Sequence, residues 1–433
     1  MESEKAFVAL ILSALLLLTA PARPALAQAP GDGSLRVTLP LDLIDTLDGA
    51  KFKIRVPANW NGTLLVYLQG LRMGPPPPEP SLTPPVLPGS EPRLEETLLS
   101  LGYGLAASEI ANTDVQVKES VEDHFALTSY IRGRVGAPKR VILWGASNGG
   151  LSALRLIEEY PRAFDAAIAT CAPAAGMSRN QDRRLDFALA YAVVFGWPDA
   201  WGPLEDTRPG LNFATDVNPR VQWPKPDGSN RGGWEFIRLV NGLGSEEFWK
   251  TDPMWGFTGF LINMLWATQT RESTEAWAAG PVAQNLDRRY ALKPEEKSYL
   301  AGLGVNADDL LAKMNSRTNI AACPWGRDYV VRFGDVRGTL RRPVITLHTT
   351  ADSLADIRNE SAYRAAVQWW GREKYLTQAY VNAVGHCAFT SKQLLSALAA
   401  MERWLDSGVQ PDASVFSGAE GFDNRFVPPP WPY

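Results

Sequence analysis

Gly145-Ala146-Ser147-Asn148-Gly149 fits the pattern G-x-S-x-G. The apolar run RVILW before it reads as a buried strand, and LSALRLIEEY after it reads as a helix that stops at Pro161. Serine on such a strand-to-helix turn is held up into solvent in strained backbone, and the flanking glycines leave room that a Cβ would fill. The start of the helix aims amide groups and its dipole at negative charge developing beside the serine. A serine so placed can attack a carbonyl, but its hydroxyl is a poor nucleophile and needs a base within hydrogen-bond reach.

Three histidines are available. His124 falls inside an expected helix near 116–134, at a position that packs or faces water. His348 ends the apolar run PVITLH, where a structural role is expected. His386 lies in the loop Gly385-His386-Cys387-Ala388-Phe389-Thr390, after the last apolar strand and C-terminal to both the serine and a suitable acid. It is the expected base. The acid that orients an imidazole must sit on a rigid strand end. Asp352, four residues after His348, lies nearer the strand end than its competitor Asp356, and the choice falls on Asp352. Either aspartate could also cap the helix that starts near Ile357.

The elements that must position these groups follow from the whole chain. Its 433 residues are 45% hydrophobic and 21% charged with net charge −4, a globular composition unlike that of a disordered chain. With 43 basic and 47 acidic residues and no long like-charge run, nucleic acid is not an expected partner. Three cysteines (171, 323, 387) and three scattered histidines give no metal-ligand spacing, so neither metal nor cofactor is expected. Residues 7–18 form one apolar run, and Ala25-Leu26-Ala27 suits signal peptidase. The run is shorter than the roughly 20 residues that span a bilayer. We therefore expect a signal peptide over 1–27, no membrane span after its removal, and a secreted or periplasmic protein. An oxidising compartment would permit one disulfide among three possible pairings.

Strand-like stretches are SLRVTLPL, KFKIRVP and GTLLVYLQG, followed by a Pro-rich loop over 74–89, a helix over 92–101 and a strand over 103–108. Strand and helix then alternate through the serine to a strand over 164–170, which indicates a parallel sheet with helices on both faces. From 174 to 335 the strand rhythm is missing. This block carries nine of the fifteen tryptophans and reads as an inserted helical cap over the strand ends. At least two of those tryptophans are expected to meet substrate. The alternation resumes with PVITLH, a helix over 358–370, the strand LTQAYVNAV and a helix over 390–406. The reading is thus a signal peptide, a first core segment 28–173, the cap 174–335, a second core segment 336–410 and a Pro-rich tail 411–433.

The order Ser147…Asp352…His386 on alternating strands resembles the α/β-hydrolase superfamily over roughly 50–175 and 335–410, with GASNGG, PVITLHTTAD and GHCAFT as the matching stretches. The resemblance implies a mostly parallel sheet and an oxyanion hole from the backbone N–H groups of Leu71 and Asn148. Many relatives carry His-Gly after the third strand, where this chain has Gln69-Gly70-Leu71. His386-Cys387 is similar to the tannase-type esterases, in which a cysteine before the nucleophile bridges to the one after the histidine. Here Ala146 precedes Ser147, so Cys387 is left to Cys171, to Cys323, or unpaired.

The expected function is a secreted serine hydrolase cleaving carboxylic esters of an apolar or aromatic small molecule through an acyl-enzyme. An amidase or peptidase with the same triad is the alternative, and a non-catalytic hydrolase-like binding protein is the alternative from another class.

Overall fold

The computed structural model describes residues 37–71, 77–109, 117–244 and 253–432, with the backbone alone over 253–258. The expected signal segment 1–27 and the first residues of the Pro-rich loop, 74–76, lie outside the described residues.

Eight strands form one sheet: β1 Leu41–Leu47, β2 Ala50–Val56, β3 Thr63–Leu68, β4 Gly104–Ser108, β5 Arg140–Ala146, β6 Ala166–Thr170, β7 Val344–Ala351 and β8 Leu376–Val384. Their order is β1-β2-β4-β3-β5-β6-β7-β8. The β1–β2 hairpin joins antiparallel through β2 to β4, and every later pairing is parallel. The first strand differs from the reading over 34–41. Pro40 has no N–H to donate, and the ladder begins at Leu41, paired with Val56. Asp48 and Gly49, both at positive φ (48° and 89°), make the two-residue turn, so Asp-Gly was the unread hairpin signal.

Alternate residues of the central strands face opposite layers. Leu64, Val66, Val141 and Leu143 pack against helix α2 (Val117–Arg134) and helix α3 (Asn148–Glu159). Leu65, Tyr67, Ile142 and Trp144 pack against α1 (Leu94–Ser100) and against Leu394, Leu398 and Met401 of a C-terminal helix, Ser391–Ser407. Each fully buried aliphatic side chain here contributes about 1.5–3 kcal/mol, and two-sided burial explains why these strands read as unbroken apolar runs.

Between β6 and β7 the described residues hold no strand. They hold α4 Met177–Phe195, α5 Arg231–Val240, α6 Pro253–Leu265, α7 Arg271–Trp277, α8 Pro294–Gly302, α9 Ala307–Asn315 and α10 Pro324–Gly334. Tyr191, Trp201, Trp234, Phe236 and Met264 build a core of their own in this insertion. Its two ends behave otherwise: Met177 and Val330 belong to the sheet's core, and a Cβ on Gly334 would lie 2.4 Å from that of Met177. The boundary at 335 therefore cuts less cleanly than the sequence suggests. The remaining helices are α11 Arg358–Trp369 and α12, the helix Ser391–Ser407.

The tail is not a loose end. Asn382 N–H donates to Gly421 O (2.9 Å), Asp423 N–H donates to Tyr380 O (2.8 Å), and Phe416 and Phe422 are buried. It thus covers the outer edge of β8, which would otherwise present unpaired backbone. Among the described residues no helix is long and apolar enough to cross a membrane.

Candidate active site

Ser147 sits between β5 and α3 with φ 55° and ψ −125°, outside the regions that non-glycine residues favour. Such backbone costs on the order of 1–3 kcal/mol and persists only where the surroundings enforce it. Ser147 N–H donates to Thr170 O at 2.9 Å, and Leu151 N–H closes the first helical turn onto Ser147 O at 3.2 Å. A Cβ on Gly145 would meet Gly149 O at 2.1 Å, and one on Gly149 would meet Leu68 O at 2.0 Å. Only glycine fits at either position, which gives the spacing of the motif its steric cause.

His386 Nε2 lies 2.8 Å from Ser147 Oγ, and His386 Nδ1 lies 2.7 Å from Asp352 Oδ2. The acid is wholly buried, and its Oδ1 accepts the N–H groups of Leu354 (2.8 Å) and Ala355 (3.0 Å). The histidine loop is tied down as well: Thr349 Oγ1 donates to Gly385 O at 2.7 Å, and Gly385 N–H donates to Ala351 O at 2.9 Å. Asp356 turns elsewhere, to Arg183 (2.9 Å) and Arg358 (3.2 Å).

A second imidazole stands behind the acid. His348 Nε2 is 3.4 Å from Asp352 Oδ2 and 2.8 Å from Ala355 O, while Nδ1 is 3.2 Å from Glu360 Oε1 on α11. Burial alone would lower its pKa, but Asp352 and Glu360 outweigh burial and push it up to about 10. Burial likewise favours a protonated Asp352, yet the two imidazoles prevail and hold its carboxyl well below the usual range. Glu360 had no signal in the sequence, since its partners Thr346, His348 and Gln378 come from two separate strands. His124 is buried away from the site, on the carbonyls of Ser120 (2.7 Å) and Tyr67 (3.0 Å), and burial pulls its pKa down to about 4.

Gly70 lies directly beside the serine, since a Cβ there would be 3.0 Å from Ser147 Cβ, and half-buried Leu71 follows it. The amides of Leu71 and Asn148 have no acceptor among the described residues. Cys171, at the end of β6, is bonded to Cys387 with a Cα–Cα distance of 5.4 Å, while Cys323 is free. Both bonded cysteines have positive φ (44° and 50°). The bridge joins the floor of the serine to the histidine loop. The two sulfurs approach His386, but being bonded to one another they are not thiolates that could hold a metal.

A cleft opens above Ser147 and His386 toward the insertion. The face of α4 that lines it repeats at helical spacing, Asn180, Arg183, Arg184 and Phe187, and Trp266 stands opposite. Trp266 alone among the described cap tryptophans lines the cleft. Trp201 and Trp234 are buried in the cap core, with Trp197 and Trp223 packed against it, and Trp277 and Trp325 are exposed. The side chains of Trp249 and Trp255 lie outside the described residues. The arginine pair was passed over in the sequence because it stands in an otherwise ordinary amphipathic helix.

The sheet order, the strained serine and the Ser-His-Asp array have the arrangement of an α/β-hydrolase fold carrying a serine-hydrolase triad. The model of the prolyl oligopeptidase family matches residues 103–214, which include Ser147 and stop short of Asp352 and His386. The chain is similar to the o-phthalyl amidase of Xanthobacter agilis, with 23% identity over 419 residues, 85% of this chain and 87% of that protein. Among solved structures it is similar to feruloyl esterase B from Aspergillus oryzae (14% identity, 86% of this chain and 81% of that one, TM-score 0.41). An esterase from the same organism compares at 13% identity, 86% and 80% coverage and TM-score 0.40.

Proposed function

We propose that the protein hydrolyses carboxylic esters and amides of a small aromatic or apolar acid through an acyl-enzyme on Ser147. The observation that carries this reading is the continuous chain of contacts from Ser147 Oγ through His386 to a buried, ionised Asp352. His386 Nε2 takes the serine proton as Oγ attacks the carbonyl, and Asp352 stabilises the resulting imidazolium. The oxyanion forms between the amides of Leu71 and Asn148, where loss of one donor costs on the order of 3 kcal/mol. His386 then protonates the leaving alcohol or amine, and water attacks the acyl-enzyme by the reverse route. Phe187, Leu243, Leu354 and Trp266 give the cleft its apolar lining.

Ester cleavage is the reading that the triad supports by itself. Amide cleavage is favoured by the amidase relative, whose match covers 85% of this chain. A 4-nitrophenyl ester and the matching 4-nitroanilide separate the two: comparable kcat/KM for both supports amidase action, and turnover of the ester alone supports an esterase. A fluorophosphonate probe should label Ser147, and Ser147→Ala should lose labelling and hydrolysis together; hydrolysis retained in that variant rejects the proposal. We also propose export, supported by the apolar run 7–18, Ala25-Leu26-Ala27 and a disulfide of the sort that persists in oxidising compartments. N-terminal sequencing of the mature protein should begin at Gln28, and an intact N-terminus would reject cleavage.

A further inference from the structure

The cleft holds polar groups that find no hydrogen-bond partner among the described residues. Arg184 Nη1, Trp266 Nε1, Asn148 Nδ2 and Ser353 Oγ are all buried without a hydrogen-bond partner, and all four residues line the space above Ser147. Three of the four are N–H donors with nothing to accept from them. Buried donors left unmade cost free energy, so native proteins seldom keep several in one place without a purpose.

Charge repeats the pattern. Arg183 is committed to Asp356 at 2.9 Å and to Asn241 O at 3.0 Å. Arg271, behind the cleft, is bonded to Glu275 at 2.7 Å. The cleft's carboxylates are already used, Asp352 by His386, His348 and two amides, and Asp356 by Arg183 and Arg358. Arg184 meets no carboxylate among the described residues; its guanidinium lies 4.8 Å from the Trp266 ring centroid. Burial and the charge of Arg271 pull its pKa down to about 9, which still leaves it a cation at neutral pH. A guanidinium packed on an indole face keeps its edge free, and that edge matches a carboxylate with two parallel hydrogen bonds.

We propose that Arg184, backed by Trp266, forms an anion subsite in the cleft and that the substrate carries a carboxylate in addition to the bond that is cleaved. The natural substrate class is then a half-amide or half-ester of a dicarboxylic acid, or an amide or ester with a carboxylate on its leaving group. This deepens the acyl-hydrolase reading and rests on it for the identity of the cleft as the substrate site.

Benzoate and benzamide have nearly the same shape and differ in charge, so their binding isolates the subsite without requiring turnover. By calorimetry, wild type should bind benzoate at least about tenfold more tightly than benzamide, the ratio expected of hydrogen bonds to a charged partner. Arg184→Met should bring that ratio to about one, and Arg184→Lys should keep part of it. The ligand-free Arg184→Met variant should melt no lower than wild type, because a side chain kept for a ligand is not kept for stability. Equal affinities in wild type, no detectable benzoate binding, or a preference that survives Arg184→Met would overturn the subsite. So would a variant that melts far below wild type, since the arginine would then be structural. In kinetics, the kcat/KM ratio of phthalic monoanilide, or of 4-(benzoylamino)benzoate, to benzanilide should exceed about ten and collapse in Arg184→Met. Fluorophosphonate labelling keeps the two proposals apart. Labelling of Ser147 without a benzoate preference removes the anion subsite alone, and a benzoate preference without labelling removes the hydrolase reading and the substrate class drawn from it, while the anion site stands.

Discussion

The two walls of the cleft differ in how their charges are settled. On the sheet side every buried charge has a partner: Asp352 is held by two imidazoles and two amides, and Glu360 by Thr346, His348 and Gln378. On the cap side, Arg184 and Trp266 keep buried donors with nothing to bind. The charges of the first wall are settled before substrate arrives, which is what a preorganised proton relay requires, because a misplaced imidazole loses the contact of about 3 Å that proton exchange needs. The second wall is completed by what enters.

The contrast can be broken most severely at the acid. Asp352→Asn should cut kcat by about 10⁴-fold by imposing the wrong histidine tautomer, while Asp356→Asn should leave kcat within about tenfold. Steady-state kinetics on one ester decides between them, and equal losses would reject the assignment of the acid. Removing one member of the buried group behind the acid comes next. Glu360→Gln should cost about 3–5 kcal/mol in urea unfolding, because it leaves the His348 imidazolium partly unpaired. A loss under 1 kcal/mol would show that His348 is neutral. Removing the bridge with Cys171→Ala and Cys387→Ala together should cost about 2–5 kcal/mol, and it should lower kcat more than it raises KM, since the histidine loop is what the bridge steadies. A change in KM alone would assign the bridge to the substrate wall.

The remaining effect is one of pH. The pKa of His348 is raised in the folded chain, from 6.5 to about 10, so the stability it contributes is complete below pH 6.5. That contribution is lost progressively as pH rises toward and through 10. Unfolding midpoints should therefore fall from pH 7 to pH 10 in wild type, and this limb should be missing in His348→Gln. Parallel limbs in both proteins would refute the raised pKa.

The legible part of this molecule is the part governed by short-range sterics and periodicity. Gly145 and Gly149 could be read because a Cβ at either would collide with backbone a few residues away or on the neighbouring strand, a constraint that leaves glycine as its mark. The long apolar runs of β3 and β5 announced strands buried on both faces, and LTQAYVNAV matched β8 residue for residue. Elsewhere a local signal existed and was passed over, as with Asp48-Gly49 and Pro324 at the head of α10.

What the chain's residue order determined unaided was a serine on a tight turn, a histidine late in the chain and an aspartate at a strand end. Only the folded chain decided that Cys171 rather than Cys323 meets Cys387, that Glu360 and His348 back the acid, and that Arg184 lies in the cleft on Trp266 with no carboxylate beside it among the described residues. The reason is physical: these relations join residues far apart in sequence, and the energy of a buried charge depends on every group packed around it, which no local pattern records.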